Sequence, residues 1–299
     1  MRNIIGRKPN QQTQVFDSWA DLVKYVEETP SEMEEAQRAS HRVGGERETH
    51  HVVKWWMGEH SMKMALDKAG QGWKEGAAEI QKTFSDFNIP AKRVRQEIAY
   101  SQVGPGTLDM GRYIMGHPMA WSVWQDAEVT NDQIAINGGI VRLGINISQS
   151  AGVSATIRFQ TGALILSLID LLEQNNRRVE LTLFNSIYGS NGAYMRQQVR
   201  VKEADESVNL PIMAFAFANA ATQRRLCWAV RETLDKESRD ACGISLHGGY
   251  GQTDENWAGI DPEGVTLVKG ATSAQYNNER RVAWLQAQLK EQGIEWDGK

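Results

Sequence analysis

The sequence predicts an α/β fold: three layers around a mainly parallel sheet with one antiparallel edge, preceded by a mostly helical region. Three observations carry this. Val141-Arg142-Leu143-Gly144-Ile145 has the pattern of a buried strand. Gln160 to Asn175 reads as a helix that is apolar except along Ser167, Asp170 and Gln174. Arg178 to Phe184 then alternates Val179, Leu181 and Leu183 with Arg178, Glu180 and Thr182, the period of a strand. Strand, helix and strand at this spacing form a right-handed βαβ unit with parallel strands.

The other elements follow in chain order. Residues 1–14 are polar and read as an arm. Ser18 caps a helix whose stripe is Trp19, Leu22, Val23 and Val26. Residues 27–48 are charge-rich. Short helices follow, with breaks at Gly58 and Gly72 and a cap at Ser61. Lys92 to Tyr100 is basic and amphipathic, Gly104-Pro105-Gly106 is a turn, and Asp109 to Met115 fits a helix or a strand. Ile134 to Ile145 reads as a hairpin turned at Asn137-Gly138-Gly139. Beyond the βαβ unit, Met195 to Val201 pairs antiparallel with Arg178 to Phe184. Asn209 to Ala218 and Ala221 to Leu234 are helices, the second capped at Thr222. Ile244 to His247 and Val265 to Val268 are strands, and a C-terminal helix starts at Ser273. The pattern changes at residue 133. It divides the chain into a helical region, 1–132, and an α/β domain, 133–299.

Composition sets bounds on function. The 299 residues are 41% hydrophobic and 23% charged, in the range of a globular protein. The net charge of -4 argues against binding nucleic acid or anionic membranes through overall charge. Two cysteines exclude a disulfide framework and point to a reducing, cytoplasmic setting. No signal-peptide pattern opens the chain, and no apolar run reaches the roughly 20 residues that span a bilayer. No membrane association is expected.

The polar cluster Asn146-Ile147-Ser148-Gln149-Ser150 ends the first strand of the βαβ unit, where ligands sit in such sheets. The segment 141–201 resembles the start of a von Willebrand factor A domain. That family has an apolar strand, an Asp-x-Ser-x-Ser loop, a helix and an antiparallel strand pair. The resemblance implies a divalent cation held by the loop oxygens and gripping a partner carboxylate. Asn146, Ser148 and Ser150 occupy the three positions here. An amide in place of the acid leaves a degenerate metal site that binds a divalent cation weakly, and no other cofactor is expected. The alternative is a turn whose hydroxyls cap local backbone.

The whole chain is also similar to a group of bacteriophage and mobile-element proteins of no assigned activity. The carrying residues are Phe16-Asp17-Ser18-Trp19, Gly72-Trp73-Lys74-Glu75-Gly76, Tyr113-Ile114-Met115-Gly116-His117-Pro118, Gln160-Thr161-Gly162-Ala163 and Arg224-Arg225-Leu226. That likeness implies a phage or mobile-element setting, with the host-cell cytoplasm or a virion as the location.

Other constellations are weaker. His50, His51, Glu59 and His60 are dense in metal-ligand types but lack a zinc spacing. Cys242 and His247 would stand about 15 Å apart along a strand, too far for a nucleophile pair. Lys92, Arg93, Arg95, Arg177-Arg178, Arg224-Arg225 and Arg280-Arg281 could line a phosphate-binding face. Catalytic residues are not assigned. The expectation is a non-enzymatic interaction or assembly module whose partner is a protein, including another copy of itself. It docks through Asn146, Ser148 and Ser150. A nucleic-acid accessory protein using Arg224 and Arg225 is the alternative, and a hydrolase or transferase at the sheet edge is the third reading.

Overall fold

The computed structural model describes residues 1–5, 10–28, 56–86, 94–102, 106–128, 139–150, 152–174, 177–245, 249–254, 266–268 and 278–291. Its centre is the expected βαβ unit. β6 (Ile140–Asn146) and β7 (Arg178–Tyr188) pair in parallel, with Val141 opposite Val179, Leu143 opposite Leu181 and Ile145 opposite Leu183. β8 (Tyr194–Lys202) pairs antiparallel with β7, as the alternation predicts. β12 (Thr266–Val268) adds in parallel beside β6, and β11 (Gln252–Thr253) pairs antiparallel with the last two residues of β7.

The chain's start departs from expectation. β1 (Arg2–Ile5) and β2 (Gln11–Phe16) form an antiparallel pair, and β2 lies parallel to β8. The polar arm is therefore part of the sheet, whose order is β1-β2-β8-β7-β6-β12. The sheet is mixed rather than mainly parallel: β2–β8, β6–β7 and β6–β12 pair in parallel, while β1–β2, β7–β8 and β7–β11 pair antiparallel. Strand pairing thus crosses residue 132.

One face of the sheet carries Val141, Leu143, Ile145, Val179, Leu181, Leu183 and Val199, all buried in one apolar cluster. Helices α1 (Trp19–Glu28), α2 (Met62–Gln71), α3 (Lys74–Asp86), α5 (Ala155–Gln174), α6 (Leu210–Ala218) and α9 (Asn278–Glu291) place buried residues in the same cluster. The alternate positions Arg142, Glu180 and Arg200 form an ion-pair row instead, at 3.6 and 3.2 Å from Glu180. These six helices therefore pack on the face that carries Leu143, Leu181 and Leu183.

α5 starts five residues earlier than its apolar run implies. Ser154 Oγ accepts from the Ile157 amide (3.3 Å), and the Arg158 guanidinium donates to the Gln149 carbonyl (3.0 Å). These contacts hold the first turn in place of apolar burial. By length and composition alone, Ala155–Glu173 is long and apolar enough to cross a membrane, and 67% of it is buried within the fold. α6 is apolar all round, with Met213 to Ala218 buried, and it lies against α5, α2 and α3. A Cβ at Gly162 of α5 would stand 2.3 Å from Ala218 Cα. Gly162→Ala is therefore expected to destabilise by about 1–3 kcal/mol through overpacking, despite a helix-propensity gain of about 1 kcal/mol. Urea unfolding checks this.

A second, three-stranded sheet stands apart in the pairing order: β3 (Val94–Ser101), β5 (Trp121–Glu128) and β4 (Thr107–Leu108), all antiparallel. The segment expected to be a basic amphipathic stretch is thus a strand from Val94 onward. α4 (Met110–Ile114) is inserted between β4 and β5. The predicted hairpin at 134–139 lies outside the described residues, apart from Gly139.

Candidate functional site

The carboxyl edge of β6 and β7 was the expected site, and it is filled by the protein's own polar groups. Asn146 and Ser148 are each only 4% exposed. Asn146 Oδ1 accepts from the Ser148 amide (2.8 Å), and its Nδ2 donates to the Asp254 carbonyl (3.0 Å). Ser148 Oγ accepts from the Ser186 amide (2.7 Å) and donates to Asn185 Oδ1 (3.3 Å). The chain continues from Asn185 Nδ2 to Gln197 Oε1 (2.7 Å) and from Gln197 Nε2 to the Cys227 carbonyl (2.7 Å). A hydrogen-bonded line therefore crosses β6, β7 and β8 and ends on the helix after α6.

Ser150 is exposed, and its Oγ accepts from the Gly152 amide (3.3 Å). The three oxygens expected to share a cation are therefore not presented together: two are committed inside and one lies at the surface. Among the described residues no cluster of three or more His, Cys, Asp or Glu could hold a metal ion. The void beside the turn, reached by Gln149, Arg158 and Gln223, measures about 10 Å³. That is the size of one water. The amide of Asn146 and the hydroxyl of Ser148 are thus spent on closing the sheet's own edge.

The arginine pair is internal as well. Residues Thr222–Cys227 form a π-helix that runs into α7 (Trp228–Glu232), so Thr222 is not an N-cap. Its hydroxyl donates back to the Phe215 carbonyl (2.6 Å). Arg224 and Arg225 are 0% and 2% exposed. Arg224 donates to the carbonyls of Trp56, Val153 (2.5 Å) and Ser150 (3.4 Å), and its guanidinium lies 4.6 Å from the centroid of the Trp56 ring. Burial lowers its pKa to about 10. Arg225 donates to the Glu59 carbonyl through Nε (3.2 Å) and Nη2 (2.8 Å), and to the His60 carbonyl through Nη2 (2.7 Å). These forks tie residues 56–60 and the 150–153 loop to the π-helix. Both guanidiniums are enclosed and spent on backbone oxygens, where the expectation had them facing phosphates.

Glu59 is likewise occupied. It is 1% exposed, its carboxylate pairs with Lys68 Nζ (2.9 Å), and Oε1 accepts from Asn219 (2.8 Å). His50, His51, His247, Lys92 and Arg93 lie outside the described residues. Cys227 and Cys242 are free and buried. Desolvation pushes the Cys227 thiol up to about 11 and also raises Cys242. Neither is poised as a thiolate nucleophile. The expected result is that neither reacts with an aromatic disulfide reagent at pH 8 in the folded protein, and that both react in urea. Because the folded thiol keeps a proton that the unfolded one loses near its ordinary 9.0, stability falls as pH rises past that value toward 11.

The feature that sequence reading missed is the surface of the small sheet. Asp109 caps α4, its Oδ1 accepting from the Arg112 amide (3.1 Å) and Oδ2 from the Tyr100 hydroxyl (3.4 Å). The Arg112 guanidinium lies 3.6 Å over the Tyr100 ring and donates to the Met119 carbonyl (3.4 Å). His117 donates its amide to the Arg112 carbonyl (2.9 Å) and accepts at Nδ1 from Met119 (3.3 Å). This polar frame holds Met110, Tyr113, Ile114 and Met115 outward, at 57, 61, 76 and 79% exposure, and Met119 is exposed as well. The signal available in the sequence was an apolar Tyr-Ile-Met run ended by Gly-His-Pro, a helix whose stripe has no matching core.

The fold and both surfaces being described, the chain can be placed. It is a mixed α/β protein, and it belongs to the family described as Domain of unknown function (DUF7192), whose profile covers residues 3–295. No curated protein and no solved structure matches it.

Proposed function

We propose that this chain is a non-enzymatic protein-interaction module whose docking surface is the 110–119 segment of the small sheet. The observation that carries this is a run of large apolar side chains held exposed by a hydrogen-bonded frame. Contiguous exposed apolar surface marks a partner site, and methionine adapts to irregular partners. The partner is a protein, and the module acts in assembly.

The α/β body serves as a von Willebrand A-like scaffold in this reading. Parallel β6–β7, antiparallel β7–β8 and the Asn-x-Ser-x-Ser turn support that likeness; the turn works as an internal brace and needs no cation. A phage or mobile-element setting, with incorporation into a virion, rests on the resemblance carried by Tyr113 to Pro118 and the other quoted segments. The nucleic-acid alternative loses support with Arg224 and Arg225 enclosed. A hydrolase or transferase at the sheet edge loses support with that edge filled.

The test is partner recovery from the native host with Ile114→Asp/Met115→Asp. Both positions are more than three-quarters exposed, so the unfolding free energy should stay within about 0.5 kcal/mol of wild type for each change. Partner recovery is expected to be lost, and unchanged recovery contradicts the reading.

A further inference from the structure

The chain also carries an acceptor for such a segment. A groove of about 420 Å³ opens between α1, the end of β8 and the helices behind them. That is the size of a cleft that takes a compact ligand or a few side chains. Its floor is apolar: Trp19, Val23, Ala69, Val201 and Ile212. The Trp19 indole is fixed by a hydrogen bond to the Ala69 carbonyl (2.8 Å), so the floor is preformed. The rim is acidic on balance. Arg200 is already paired with Glu180 (3.2 Å) and Glu203 (2.8 Å), Lys24 faces Glu28 (3.9 Å), and Lys202 is buried against Glu173 (2.9 Å). Glu206 is exposed and accepts from the Glu203 amide (2.9 Å), so Glu27 is the exposed carboxylate left over on the groove wall among the described residues.

The 106–119 segment has the opposite character. Its apolar tip is flanked by Arg112, and its one acid, Asp109, is committed to capping α4. Its side chains are exposed, so the groove of the same molecule does not cover them.

We infer that Tyr113, Ile114 and Met115 of one copy dock in the Trp19–Ile212 groove of a second copy, with Arg112 meeting Glu27. This rests on the interaction reading and names its partner. Because the two surfaces differ, the contact is head-to-tail, and it propagates into a ring or an open filament.

Sedimentation velocity of the full chain tests it, using two variants altered at exposed positions. Ile114→Asp/Met115→Asp removes the donor segment, and Ala20→Arg/Glu27→Lys blocks the groove. The expected result is a wild-type mass that rises with concentration, and self-association at least about tenfold weaker for each variant alone. An equimolar mixture of the two variants should form a heterodimer and stop there, since it holds one intact donor and one intact groove. A wild type that stays monomeric, or a mixture that does not pair, overturns the inference. Flotation of a monomeric wild type with neutral phosphatidylcholine vesicles, lost in Ile114→Asp/Met115→Asp, would make the segment a membrane contact and also overturn it. A monomeric wild type that still captures a different protein through Ile114 and Met115 removes self-docking alone. Capture and self-association both unchanged in Ile114→Asp/Met115→Asp remove the interaction reading with it.

Discussion

Arg225→Met is expected to lower the unfolding free energy by roughly 3 kcal/mol, by the loss of a buried charged donor from its acceptors. Methionine nearly fills the space but donates nothing. The carbonyls of Glu59 and His60 would lose three hydrogen bonds, at 3.2, 2.8 and 2.7 Å, inside a site where Arg225 is 2% exposed. Residues 56–60 would also lose a tie to the π-helix. Arg225→Lys should recover only part of the loss, because an ammonium lacks the planar fork that reaches two carbonyls at once. Urea midpoints for the three proteins give the order wild type, Lys, Met. A loss below about 1 kcal/mol for Met would mean that the clamp is dispensable.

The second large effect is expected at Asn146→Asp. The change restores the acid that a von Willebrand A loop carries, at a position 4% exposed. A carboxylate still accepts from the Ser148 amide, but it cannot donate to the Asp254 carbonyl at 3.0 Å. It places a buried charge against a carbonyl oxygen, at about 2–3 kcal/mol. The sign with pH follows. Burial raises the new acid's folded pKa, so the loss is greatest at neutral pH and shrinks as the pH falls through that value, where the protonated acid donates to Asp254. Millimolar Mg²⁺ should leave the thermal midpoint of the variant unchanged. A midpoint raised by Mg²⁺ would show that the turn retains a competent cation site.

These two positions also mark what the sequence could and could not reveal. β6, α5, β7 and β8 were legible because their core-facing residues keep a strict period or an unbroken apolar run, and burial follows from either. β2 was not, since Gln11-Gln12-Thr13-Gln14 reads as solvent-facing. In the fold Gln12 and Gln14 are buried, and Gln12 Nε2 donates to Ser238 Oγ (2.7 Å). The same blindness hid Arg224 and Arg225. Arginine pairs are ordinarily exposed, and the carbonyls that enclose these lie 71 to 168 residues away. The turn at 146–150 was found by its polarity and its place after a strand. Its burial depends on Asn185, Ser186 and Asp254, which no local pattern links to it. The apolar α4 segment was visible, yet nothing local distinguishes an unpartnered helix from one with a core partner.

The central claim is that partners meet the 110–119 segment while the carboxyl-edge turn looks inward. Site-specific photo-crosslinking separates the two directly. A photoactivatable residue is placed at Ile114 in one protein and at exposed Ser150 in another, and each is irradiated with the native partner mixture and with the chain alone. The account predicts an adduct from position 114 and none from position 150. Adducts from 150 with none from 114 would contradict it.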